Sequence, residues 1–169
     1  LAMYPFGPAW SSKRYPAEPF INEMKRIFGQ YGISRDRLIV LKPFRDQDDI
    51  RAFLTIADVY LDAVPYSGAT SLLDPLMMGV PLVVMEKPEL RFCQGAAMLR
   101  EMGMRDLIAN SEEEYVQIAL RLATDPDFRA AQSEKILQKM EQGPPFLDPK
   151  SYSQEMGRAL ESIVGNRER

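Results

Sequence analysis

Short apolar runs alternate with amphipathic stretches from one end of this chain to the other, and that alternation limits the fold more than any other feature. The short runs fall at residues 1–6, 38–41 (LIVL), 59–63 (VYLDA), 82–85 (LVVM) and 106–109. Each has the length of a strand rather than a helix. Between the first two, Phe20, Ile21, Met24, Ile27, Phe28 and Tyr31 recur on one face of a helix over residues 18–31, with Gly32 as its stop. Residues 46–57 form a second helix, with Ile50, Phe53, Leu54 and Ala57 on one side. A third runs from about Thr70 to Met78, closed by Gly79-Val80-Pro81, and a fourth from Phe92 to Met102. Ser111 with Glu114 has capping-box spacing and opens a helix whose apolar face is Tyr115, Ile118, Ala119 and Leu122. Asp125-Pro126 starts another, with Pro at the tolerated N1 position. A Pro-rich connector, residues 142–150, leads to a last helix over residues 151–164 with Tyr152, Met156, Leu160 and Ile163 inward. Strands alternating with helices make βαβ units, so the expected class is α/β, an open parallel sheet with helices on both faces.

Composition removes whole classes of chemistry. There is no histidine and a single cysteine among 169 residues. The chain alone therefore builds no Ser-His-Asp or Cys-His arrangement, no His-ligated or Cys-rich zinc site and no internal disulfide. With 21 Lys+Arg against 24 Asp+Glu it lacks the basic surface of a sequence-blind nucleic-acid binder. One domain is expected at this length. The longest apolar stretch, residues 75–85, is broken by Gly79 and Pro81 and falls short of the about 20 residues that span a bilayer. No basic start or long apolar stretch marks a signal peptide at the N-terminus, and the chain opens directly on a strand without an initiator Met, as a piece of a longer polypeptide would. Low cysteine content fits a reducing, cytoplasmic compartment.

In such a sheet, ligands bind beyond the carboxyl ends of the strands. That rule singles out the loops at residues 7–17, 42–46, 64–70 and 86–91. Residues 57–81, ADVYLDAVPYSGATSLLDPLMMGVP, carry the most information. A strand runs into a small turn, Ser67-Gly68-Ala69, and then into a helix starting at Thr70-Ser71. Unpaired backbone N–H groups, hydroxyl donors and small residues together describe a phosphate site. Asp74, at i+4 from Thr70, is placed to accept hydrogen bonds from two ribose hydroxyls. The same residues also serve as ordinary N-caps and first-turn acids, and the spacing alone leaves both readings open. Asp74-Pro75 puts the acid in a pre-proline position that disfavours helical backbone.

Taken together, Ala57-Asp58-Val59, Leu61-Asp62, Gly68, Thr70-Ser71, Asp74 and Met78-Gly79-Val80-Pro81-Leu82-Val83 resemble the C-terminal catalytic lobe of the SPINDLY/O-GlcNAc-transferase-like proteins, glycosyltransferase family 41. Leu107-Ile108-Ala109-Asn110, Glu114-Tyr115, Ile118-Ala119, Leu122-Ala123, Phe146, Lys150-Ser151-Tyr152 and Met156 continue the resemblance in register. The resemblance implies the C-terminal half of a GT-B enzyme: a Rossmann-like nucleotide-sugar-binding lobe over residues 1–150, and a C-terminal helix over residues 151–169 packing back towards an N-terminal lobe. It implies that Gly68, Ala69, Thr70 and Ser71 contact the diphosphate, Asp74 the ribose, and the loop Pro43-Phe44-Arg45 the uracil. Arg91 is a further candidate cation for the diphosphate. The implied activity is transfer of a sugar from a UDP-linked donor to a Ser/Thr hydroxyl of a protein, with no metal, no nucleic acid and no membrane. The implied partners are the upstream lobe and a tetratricopeptide array.

The chain departs from the family pattern at named positions. Ala69 stands where well-studied members have His. Gln47, Ile50 and Phe53 stand where they have Lys, His and Arg near the uracil, and Cys93 where they have an Arg. No residue here makes a general base, so the catalytic residue is unassigned. These departures keep a second reading open, a Rossmann-like binding or scaffold domain without catalysis. Lys13 and Arg14, after Trp10-Ser11-Ser12, either face the cleft or form a solvated basic turn. Asp46, Asp48 and Asp49 read as a helix N-terminus rather than a metal site, and Cys93 as a small helix residue.

Overall fold

A computed structural model describes residues 1–3, 17–42 and 44–165. Trp10, Lys13, Arg14, Pro43 and residues 166–169 lie outside the described residues. The chain divides into two compact units, Leu1–Ala52 and Phe53–Arg169.

In the first unit β1 (Ala2–Met3) pairs in parallel with β2 (Ile39–Val40), and the connection between them includes α1 (Ala17–Gln30). Ile21, Met24, Ile27 and Phe28 are half-buried along α1, while Phe20 and Tyr31, expected on the same face, are exposed at its ends. α2 (Gln47–Leu54) begins at Asp46, whose carboxylate accepts the Asp49 N–H at 3.0 Å. That is the capping role read from the acidic cluster.

The second unit holds β3 (Tyr60–Leu61), β4 (Leu82–Met85) and β5 (Ile108–Ala109), all parallel, with β4 in the middle. Every residue of β4 is buried, as LVVM requires of a strand covered on both sides. Around it pack Leu72 and Leu76, Leu99 of α4 (Leu90–Glu101), Leu122 of α5 (Glu112–Thr124) and Ile136 of α6 (Pro126–Glu141). The α/β class read from the alternation holds, as does the Rossmann-like fold that the resemblance implies. So do the caps: Ser111 Oγ accepts the Glu114 N–H, Glu114 reaches back to the Asn110 N–H at 2.8 Å, and Asp125 accepts the Phe128 N–H at 2.9 Å.

The helix expected from Thr70 to Met78 is split. Residues Thr70–Leu72 form a 3₁₀ turn, and α3 covers only Leu73–Met77. Pro75 explains the split, because it has no N–H to donate to the Ser71 carbonyl and the first turn tightens instead. Gly79 then ends α3 with φ 70°, its N–H on Leu76 O and the Val80 N–H on Pro75 O, a Schellman closure. Gly79→Ala is expected to cost about 1–2 kcal/mol from the left-handed backbone alone. Its Cβ would also lie 2.6 Å from Leu137 Cγ. The melting midpoint should fall by roughly 2–8 °C; an unchanged midpoint would contradict the closure.

The last helix, α7 (Pro149–Gly165), corrects one expectation. Tyr152, Met156, Leu160 and Ile163, expected inward, are 63 %, 42 %, 55 % and 58 % exposed, and no residue of α7 is buried. Their spacing does mark an apolar stripe, but none of the described residues covers it.

Candidate functional site

The carboxyl end of β3 leads into a loop held from within. Asp62 is only 5 % exposed. One carboxylate oxygen accepts the Ser67 hydroxyl at 2.6 Å and the other accepts the Gly68 N–H at 2.9 Å. The Ser67 hydroxyl in turn accepts the Gly95 N–H of α4 at 3.0 Å, and the Ser67 N–H donates to Arg91 O at 2.9 Å. Tyr115, on α5, donates its hydroxyl to Asp62 O at 2.7 Å. The sequence reading did not assign Ser67, Gly95 or Tyr115 a role here. The available signals were an acid inside an otherwise apolar strand and an isolated glycine inside a helical pattern.

These bonds decide which groups remain for a ligand. Gly68, expected at the diphosphate, spends its amide on Asp62. Ala69, Thr70 and Ser71 follow it at the start of the 3₁₀ turn. Ala69 sits at the N-cap of the 3₁₀ turn and supplies no side-chain cap. Thr70 and Ser71 are exposed, and Asp74 is 8 % exposed just behind them. Arg91 is exposed at the start of α4, its guanidinium 5.6 Å from the Phe92 ring centroid; Lys87 Nζ lies 5.6 Å from the same ring. Two cations thus flank one aromatic ring just beyond the carboxyl end of β4, and Lys87 was not foreseen.

The residues expected at the base belong to the first unit, whereas the phosphate and ribose candidates all belong to the second. Phe44 is half-buried. Arg45 forks onto Asp49 at 2.9 and 3.0 Å, which holds the Asp49 carboxyl below its ordinary range. Cys93 directs its thiol at the carbonyls of Lys87 and Glu89, at 3.2 and 3.4 Å, consistent with a helix residue rather than a nucleophile.

Burial shifts the titrations at this end of the sheet. It raises Asp62, against the opposing pull of the Ser67 hydroxyl and the Gly68 and Ala63 amides. It also raises Tyr60, with the Asp62 charge adding and a hydrogen bond to Ser71 opposing, and it raises Tyr115 strongly. The folded chain therefore binds the Asp62 proton more tightly than the unfolded chain does. Stability from this group is full below the ordinary aspartate value and is lost as pH rises through the raised one. The melting midpoint of the wild type is expected to fall relative to Asp62→Asn across that window. Parallel pH profiles would contradict the assignment.

Residues 9–156 match the sequence profile of Glycosyl transferase family 41. The chain belongs to glycosyltransferase family 41. Among its relatives, a Petunia hybrida protein named probable UDP-N-acetylglucosamine–peptide N-acetylglucosaminyltransferase SPINDLY is 35 % identical over 100 residues, covering 59 % of this chain and 11 % of that protein. The Caenorhabditis elegans UDP-N-acetylglucosamine–peptide N-acetylglucosaminyltransferase is 30 % identical over 125 residues, 74 % of this chain and 11 % of that one. A mutant O-GlcNAc transferase from Thermobaculum terrenum superposes with a TM-score of 0.73 at 29 % identity, over 85 % of this chain and 27 % of its own. The family 41 chain described here thus spans about a tenth of the length of these curated relatives.

Proposed function

We propose that this chain is the donor-binding lobe of a family 41 protein O-glycosyltransferase, taking a UDP-linked sugar such as UDP-N-acetylglucosamine and serving a Ser/Thr acceptor. The observation that carries the reading is the turn at Ala69–Ser71, with Asp74 behind it and Arg91 at the neighbouring strand end. The Thr70 and Ser71 groups and the Arg91 charge would hold the diphosphate and stabilise the negative charge that grows as the sugar leaves. Asp74 would accept the ribose hydroxyls. Phe44 and Arg45, with Pro43, are assigned to the uracil by resemblance. This division of labour calls for no metal. The acceptor hydroxyl would be activated by a group outside this lobe. The apolar stripe of α7 suits a helix that packs on an N-terminal lobe of the same protein, and a tetratricopeptide array upstream would recruit the acceptor. The cytoplasm is the compartment assigned. Among the described residues no helix is long and apolar enough to cross a membrane.

A second reading is favoured by Ala69, which offers the turn neither a cap nor a side-chain donor. On that reading the lobe binds a nucleotide without serving transfer. Calorimetry on the chain with UDP, GDP and ADP tests the proposal. UDP is expected to bind more tightly than the other two. No heat at millimolar UDP, from a chain folded by circular dichroism, would overturn the donor-lobe reading. Binding by UDP without glycosyl transfer by the full-length protein would favour the second.

A further inference from the structure

Ser67 occupies an unusual place in the fold. Its N–H donates to Arg91 O and its hydroxyl accepts from the Gly95 N–H. Arg91 O and Gly95 N are the two groups that one i→i−4 bond of α4 pairs. A loop serine thus bonds the backbone of a later helix, at Arg91 and at Gly95, the latter 28 residues further along the chain. The same hydroxyl donates to Asp62, whose other oxygen holds the next amide, at Gly68. One residue therefore ties the β3 strand end, the polar turn that follows it and the first turns of α4 into a single hydrogen-bonded unit. The packing has been shaped to allow this. A Cβ on Gly95 would lie 2.9 Å from Ser67 Oγ, 2.8 Å from Leu72 Cδ1 and 2.9 Å from Val84 Cγ1, so only glycine lets α4 approach. Ser67 is 9 % exposed and does not itself face a ligand, yet both arms of the candidate diphosphate site depart from it. Thr70 and Ser71 lie three and four residues beyond it, and Arg91 is bonded to its backbone.

We infer that Ser67, oriented by Asp62, is a positioning residue that fixes the distance between the Thr70-Ser71 turn and Arg91, so that both meet one diphosphate. This deepens the nucleotide-binding reading and rests on it for its ligand. A two-pronged anion site gains affinity only while its prongs are held at a set separation. The structure supplies that rigidity through the Ser67 hydroxyl rather than through a contact to the ligand.

Two readouts on the 169-residue chain test the inference, one of them without ligand. In the free chain, Ser67→Ala should speed amide hydrogen exchange at residues 68–72 and at residues 91–95 together, because one node serves both. Faster exchange at only one of the two segments would overturn the inference. With UDP as the probe, a double-mutant cycle of Ser67→Ala with Arg91→Ala should be non-additive. Arg91→Ala is expected to weaken UDP at least fivefold in the wild type and less than twofold once Ser67 is alanine. Additive losses would give Ser67 a merely structural part and overturn the inference. Should Ser67→Ala fail to fold, Asp62→Asn keeps an acceptor for Gly68 and loses the one for Ser67, and it is read in the same two ways. A wild-type chain that shows the coupled exchange and binds no UDP would refute the nucleotide reading while leaving the coupling of the two arms standing.

Discussion

Asp74→Ala is expected to weaken UDP binding by about one to two orders of magnitude while leaving the chain folded. Hydrogen bonds to a charged acceptor are worth about 1.5–3 kcal/mol each. Losing one or both of the ribose bonds to this carboxylate would carry the affinity down by that much. The helix bond made at this position does not use the side chain. Leu76 and Leu72, on either side, are fully buried, and the helix bond from the Met78 N–H goes to the Asp74 backbone carbonyl, which alanine retains. Asp74→Asn keeps one good acceptor and should fall between the two. Calorimetry with UDP on the three proteins checks the order. Equal affinity in all three would remove Asp74 from the site and leave it as an acid in the first turn of a short helix.

Gly95→Ala is expected to destabilise the second unit although alanine is the better helix former. Two effects oppose each other. Alanine improves a helix interior by about 1 kcal/mol over glycine. Against that, the added methyl would meet three side-chain atoms at 2.8–2.9 Å, from Leu72 and Val84, both fully buried, and from Ser67. Overpacking of this kind costs about 1–3 kcal/mol. None of the three neighbours has solvent to retreat into, so the clash outweighs the propensity. The melting midpoint is expected to fall by several degrees, and UDP affinity should fall with it because the Ser67 node is pushed off α4. Gly29→Ala is the control. It lies in α1 at ordinary φ with nothing within 4 Å of the new methyl, and it should stabilise by about 0.4–1 kcal/mol. A Gly95→Ala chain as stable as the wild type would mean that α4 and the loop are not so closely packed.

The parts of this fold that were legible in the sequence are those set by local rules. LVVM is a buried strand because nothing in it tolerates water. Ser111 and Asp125 cap helices because their side chains reach amides three residues on. The polar turn was legible as a phosphate candidate for the same reason, from small and hydroxylated residues at the end of a strand. What was not legible depends on distant partners. Ser67 read as one more small turn residue, since its weight comes from Gly95, remote in sequence. Nothing local showed that the Gly68 amide bonds Asp62, six residues back. The stripe on α7 read as inward because periodicity reports which face is apolar and not what covers it. Pro75 is an awkward neighbour for Asp74 on sequence grounds, but its consequence, a 3₁₀ turn in place of the first helical turn, is visible only in the structure.

The most direct test of the central claim is a UDP titration of the ¹⁵N-labelled chain followed by amide chemical shifts. A donor site at the carboxyl ends of β3 and β4 predicts saturable shifts concentrated in residues 67–74 and 87–95, needing at least tenfold more UDP in Asp74→Ala. No saturable shift at millimolar UDP would contradict the account. So would shifts centred on the opposite strand ends, around Asp58, Arg129 and Ser133.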